Sequence, residues 1–182
     1  MQRGPFGCLR TGNREKAHKA GEAPPMYPPA AVPKPARGGF APVLRRGIAA
    51  GAVAGVLSGL PSTVHALATG RDPLAAARAA GNLLLPSDAS PSALLAAGGV
   101  AHVVLSLGWG TVLAVAVRRT SLPPVPLGVA AGAAIAAVDL GLVARSRVGR
   151  RWTLIHDLPL APQAADHLAF GAIAGAVLAR RG

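Results

Sequence analysis

Long apolar stretches separated by short charged or proline-rich breaks set the pattern of this chain. Residues 47–68 carry no Asp, Glu, Lys or Arg, with Arg45 and Arg46 at one end and Arg71 at the other. At about 1.5 Å of rise per residue such a stretch reaches ~33 Å as a helix, enough to cross a hydrocarbon layer of ~30 Å. A second stretch, 93–117, holds His102 as its only ionisable group and closes on Arg118 and Arg119. Ser90 followed by Pro91 supplies a helix cap and a favoured first helical residue. The third, 125–144, is entered through Pro123, Pro124 and Pro126, contains Asp139 and ends at Arg145.

The fourth stretch, 158–179, includes Gln163, Asp166 and His167. An Asp near a helix centre costs ~2.5–3.5 kcal/mol of insertion free energy, while each Leu, Ile, Phe or Val returns ~0.3–0.6. The seven such residues here about cancel the Asp, so this helix requires partners for its polar groups. Between the first two stretches, residues 73–85 read as a short helix lying on the membrane surface. Arg78 and Asn82 share one of its faces; Leu74, Gly81, Leu84 and Leu85 lie opposite. The expected fold class is all-α: an integral membrane bundle of four transmembrane helices with a short interfacial helix.

Charge adds an asymmetry. The chain has 182 residues, 51% hydrophobic and 14% charged, with a net charge of +12. Residues 1–46 hold nine of the basic residues against Glu15 and Glu22. The run PPMYPPAAVPKP within them has six prolines and no apolar period, so 1–46 is expected to be a disordered basic tail ahead of the transmembrane domain, 47–182. Its aromatics, Phe6, Tyr27 and Phe40, are too scattered to stack bases, and no nucleic-acid partner is expected. The first apolar run begins too late for a signal peptide, and Met26 is an alternative start. A single cysteine, Cys8, excludes a disulfide scaffold and a paired-cysteine metal or redox site.

Counting basic residues beside the span ends gives eight on the face of the termini and six on the other. That bias predicts a multi-pass protein of the cell membrane with both termini cytoplasmic. Small residues recur every four positions: Gly47, Gly51, Gly55 and Gly59; Gly98, His102, Ser106 and Gly110; Gly128 and Gly132; Gly171 and Gly175. Such GxxxG-type stripes let backbones approach closely, and a stripe left over would serve a homo-oligomer or a membrane-protein partner.

The candidate chemistry lies in ionisable groups inside the spans: His65, His102, Asp139, Asp166 and His167. Measured from the nearer span end, His65 sits ~8 Å deep, Asp139 ~9 Å, Asp166 ~12 Å and His102 ~15 Å on the helical rise. Because alternate helices run in opposite directions, all of these depths count from one membrane face. Two readings follow. Intramembrane Asp and His are by default functional candidates, which points to a one-sided polar pocket for proton- or cation-linked transport or sensing. Equally, Asp139 and Asp166 pairing with His102 and His167 would be interhelical glue in a structural or accessory subunit, at ~0.6 kcal/mol per bond on average.

No metal site or cofactor is expected, because no ligand pair falls at i,i+4 or in an HExxH arrangement. Nucleophile elbows, phosphate loops and dinucleotide fingerprints are absent from the sequence, so no enzyme is expected. Ser58 in VLSG lacks the GxSG of intramembrane serine proteases.

LPSTVHALATGRDPLAAARAAG (60–81), AHVVLSLGWG (101–110), AAVDLGLVAR (136–145) and LPLAPQAADHLAFGAIAGAVL (158–178) together resemble a family of small multi-pass membrane proteins from high-GC, actinobacteria-like bacteria. The resemblance covers roughly residues 44–180 and includes Asp139 and the Asp166–His167 pair. It implies location and architecture and transfers no activity to these residues.

Overall fold

The computed structural model describes residues 39–143, 146 and 151–180; most of the expected tail, with Cys8 and Met26, lies outside them. Among the described residues the protein is all helical: α1 Phe40–Ser58, α2 Leu60–Ala68, α3 Ala75–Gly81, α4 Pro91–Arg119, α5 Pro124–Ala136 continued by a π-helical segment Ala137–Val143, α6 Thr153–His156 and α7 Leu160–Ala179. Three stretches are long and apolar enough to cross a membrane: Phe40–Ala68, Pro91–Arg119 and Pro124–Leu142. Helix α7, with 20 residues, is about as long as the third of them, 19 residues, but Gln163, Asp166 and His167 dilute its composition.

Four boundaries differ from the sequence reading. Helix α1 begins at Phe40, within the expected tail, because Pro42 is tolerated in a first turn and Arg46 is held by another helix. The first apolar stretch is not one helix. It breaks at Gly59, two residues before Pro61, a residue whose missing N–H and bulky ring interrupt the hydrogen-bond ladder. The short helix expected over 73–85 stops at Gly81, and Asn82 is not on a water-facing surface. It is 3% exposed, donating to Leu85 O at 3.0 Å and accepting from the Leu154 N–H at 3.3 Å. Those two bonds turn the chain and tie it to α6. The π segment after Ala136 has no counterpart in the sequence reading. Helix α4 follows expectation, with the Ser90 hydroxyl accepting from the Ala93 N–H.

The long helices pack in a row, α4–α1–α7–α5, so that the consecutive helices α4 and α5 barely meet. Small residues make the crossings. A Cβ at Gly51 would strike Ser106 O, one at Gly128 would strike Gly171 O, and one at Gly132 would strike His167 O. The core is correspondingly fine-grained: Ala50, Ala54, Ala114 and Ala174 with Leu113, Ile135, Phe170 and Leu178. Trp109 packs against this core. Larger apolar side chains point outward, with Val56 83% and Leu142 71% exposed. This distribution suits helices whose surroundings are as apolar as their side chains, where close van der Waals packing does the work of association. At the end of the pair nearer the termini, Arg46 on α1 donates to Leu178 O in the last turn of α7 at 3.1 Å, placing a cation where the helix dipole is negative.

Candidate functional site

The break between α1 and α2 creates the first half of the site. The Gly59 N–H turns to Leu57 O, leaving Gly55 O open to a donor from another helix. His102 on α4 supplies it: its Nε2 donates to Gly55 O at 2.8 Å. A carbonyl only accepts, so this bond fixes the proton on Nε2. On the far side of the break α2 starts afresh, with first-turn N–H groups that lack partners within the helix. Asp166 on α7 caps them from outside, its Oδ1 accepting from the Ser62 N–H at 2.9 Å. The hydroxyls of Ser62 and Thr63 close the kink by donating to Gly59 O at 3.2 and 2.8 Å. A proline break normally costs about 3 kcal/mol or more in a helix interior. Here bonds from two other helices, and two from within α2, stand in for the lost ladder.

The second half lies between α7 and the π segment. His167 Nδ1 donates to Gln163 O, one turn earlier, at 2.8 Å. Its Nε2 faces Asp139 Oδ2 at 3.3 Å. With Nδ1–H committed to a carbonyl, the contact between Nε2 and Oδ2 requires one further proton, on the imidazole or on the carboxyl. The pair is half-buried, the His167 side chain 23% and the Asp139 side chain 40% exposed. Asp166 stands within electrostatic reach of both His167 and His102. The groups therefore run His102, Asp166, His167, Asp139 along one end of the row.

Of the expected pairings, only Asp139 with His167 forms; Asp166 and His102 engage backbone groups exposed by the kink. His65 does not join them. It lines a cavity of about 330 Å³ bounded by α2, α3 and the α6–α7 junction. Ser62 and Gln163 stand in the same wall, so the residues whose backbones hold Asp166 and His167 also face the cavity. Its rim carries Arg71, Asp72, Arg78 and Asp157. Asp72 pairs with Arg78 and accepts from the Leu74 N–H at 2.8 Å; the Arg78 bond, and then the Leu74 bond, hold the carboxyl below its usual range. Of the five candidate residues His65 lines this cavity, whereas His102, Asp139, Asp166 and His167 do not. Among the described residues no group of three or more His, Cys, Asp or Glu side chains is arranged to hold a metal ion.

Sequence reasoning missed Ser62, Gln163 and Gly55, which act through backbone atoms. Pro61 was the available signal, since a proline inside an apolar span frees backbone groups that must find partners elsewhere.

No protein-family model matches the chain, and neither a curated protein nor a solved structure matches it.

Proposed function

We propose that the protein crosses the membrane four times, by α1–α2, α4, α5 with its π segment, and α7, with α3 at the surface and both termini in the cytoplasm. On this reading the Asp139–His167 pair is a proton-binding site serving proton-linked transport or sensing. Four crossings are supported by the partners that α7 finds: its Asp166 carboxylate meets the Ser62 N–H, relieving the largest obstacle to insertion. Orientation is supported by charge. Beside the span ends, the termini end carries eight basic residues and the other end six.

One observation carries the proton reading. His167 Nδ1 is committed to Gln163 O, so the Asp139–His167 contact holds a single proton that can leave only by breaking it. Histidine titrates near neutrality, and a half-exposed Asp139 gives that proton a way out. The test is proton uptake into liposomes containing the full chain, driven by a potassium diffusion potential and followed with an internal pH dye. Wild type acidifies the lumen, Asp139→Asn and His167→Gln abolish the signal, and both variants keep the wild-type helical content. Equal rates for wild type, variants and empty liposomes would overturn proton transport. Sensing would then stand or fall on a pH-dependent change in amide exchange that wild type shows and both variants lack.

The second reading is a structural or accessory subunit. It is favoured by His102 and Asp166, which are both spent on backbone groups of the kinked first span. It predicts that Asp139→Asn unfolds the protein rather than silencing it.

A further inference from the structure

The cavity beside α3 is not used by the proton site, and its charges are unevenly paired. Arg78 and Asp72 neutralise one another across the rim. Arg71 and Asp157 line the same space, and neither side chain has a hydrogen-bond or ion-pair partner among the described residues. They are also farther apart than an ion pair, so among the described residues the cavity presents one cation and one anion that are not paired, at separate points. The side chains of His65 and Gln163 add two polar groups with no side-chain hydrogen bond among the described residues. The rest of the wall is apolar, supplied by Ala66, Ala76, Leu154 and Leu158 among others. A volume of about 330 Å³ is of the size that holds small ligands.

From this arrangement we infer that the cavity binds a zwitterionic phosphate ester bearing an ammonium group, of the phosphoethanolamine type. Its phosphate meets the Arg71 guanidinium with His65 and Gln163 as further donors, and its ammonium meets Asp157. Arginine matches phosphate oxygens with its planar fork, and a carboxylate is the natural partner of a primary ammonium. A ligand of single charge would satisfy one of the two unpaired groups and leave the other facing it. The apolar wall accommodates the glycerol and first methylenes of a lipid, and the cavity lies at the level where α3 meets the proposed membrane surface. The ester can come from a phospholipid headgroup or from a free phosphodiester. The lipid source rests on the four-crossing reading, whereas the site itself is independent of the proton chemistry at Asp139.

Native mass spectrometry of the full chain in detergent tests the site. Three probes are used: dihexanoyl phosphatidylethanolamine, dihexanoyl phosphatidylglycerol, which lacks the ammonium, and free glycerophosphoethanolamine. Wild type is expected to retain one phosphatidylethanolamine about tenfold more tightly than phosphatidylglycerol, the scale of one charge-assisted contact. Asp157→Asn lowers phosphatidylethanolamine binding about tenfold and leaves phosphatidylglycerol unchanged, while Arg71→Gln weakens both by about the same factor. Both side chains are exposed and form no ion pair among the described residues, so the variants keep the wild-type melting temperature. Competition by free glycerophosphoethanolamine at equal concentration assigns the ligand to the soluble source, and failure to compete assigns it to the lipid; either result supports the site. Indifference between the two lipids, or a preference that survives Asp157→Asn, overturns it. Loss of proton uptake in Asp139→Asn with lipid preference intact separates this inference from the proton reading.

Discussion

At the scale of single residues, the polar groups of this protein are distinguished less by charge than by what they accept from. Asp166 accepts a backbone N–H, a task that an amide oxygen also performs. Asp166→Asn is therefore expected to lower stability little, and Asp166→Ala to cost about 1–3 kcal/mol by stranding the Ser62 N–H; thermal unfolding in detergent distinguishes them. An Asn as damaging as an Ala would show that the charge itself is required. Asp72 gives a pH prediction of definite sign. Its carboxyl sits below the ordinary range because Arg78 and the Leu74 N–H favour the ionised form. Its stabilising effect is complete above the unfolded-state value and disappears as pH falls through the lower folded-state value. Amide protection in the loop leading to α3, corrected for the intrinsic exchange rate at each pH, should therefore fall on acidification through that interval, and Asp72→Asn should remove that fall.

At the scale of elements, the long helices were legible because bilayer thickness fixes the length of an apolar run and arginines mark its ends. The same rule misplaced the start of α1, where Arg45 and Arg46 read as a border although Arg46 is engaged by Leu178 O inside the fold. The π segment and the buried Asn82 were illegible for another reason. Both answer to tertiary partners, His167 and Leu154, that no local pattern announces. The site residues were legible as types and as depths; their partners were not, since a backbone N–H or C=O looks alike at every position. The crossings yield an element-scale prediction. Gly128→Ala drives a methyl onto Gly171 O, while Gly108 faces open space. The first should destabilise by about 1–3 kcal/mol through overpacking, and Gly108→Ala should stay within about 0.5 kcal/mol of wild type. Comparable melting temperatures for the two would refute close α5–α7 packing.

At the scale of the whole molecule, basic residues are unevenly shared between the two ends. Eight stand beside the spans at the end bearing the termini and six at the other, a bias that favours the termini inside. The single cysteine makes this measurable. A membrane-impermeant maleimide should leave Cys8 unlabelled in intact cells and label it after permeabilisation. Ser87→Cys in a Cys8→Ser background should react without permeabilisation. The reverse pattern would invert the topology and place His65 and the neighbouring cavity on the cytoplasmic side.

The cap that Asp166 places on α2 also imposes an order on synthesis. The kinked first span leaves the ribosome with Gly55 O and the Ser62 N–H unanswered; the first waits for His102 and the second for the last helix to be made. On the four-crossing reading α7 cannot easily enter lipid alone, because among the described residues the donor to its Asp166 carboxylate is the Ser62 N–H of α2. Beginning and end of the chain thus complete one another, and a copy truncated before residue 160 is expected to be cleared by the cell's proteases, holding an open kink that only the missing segment can close.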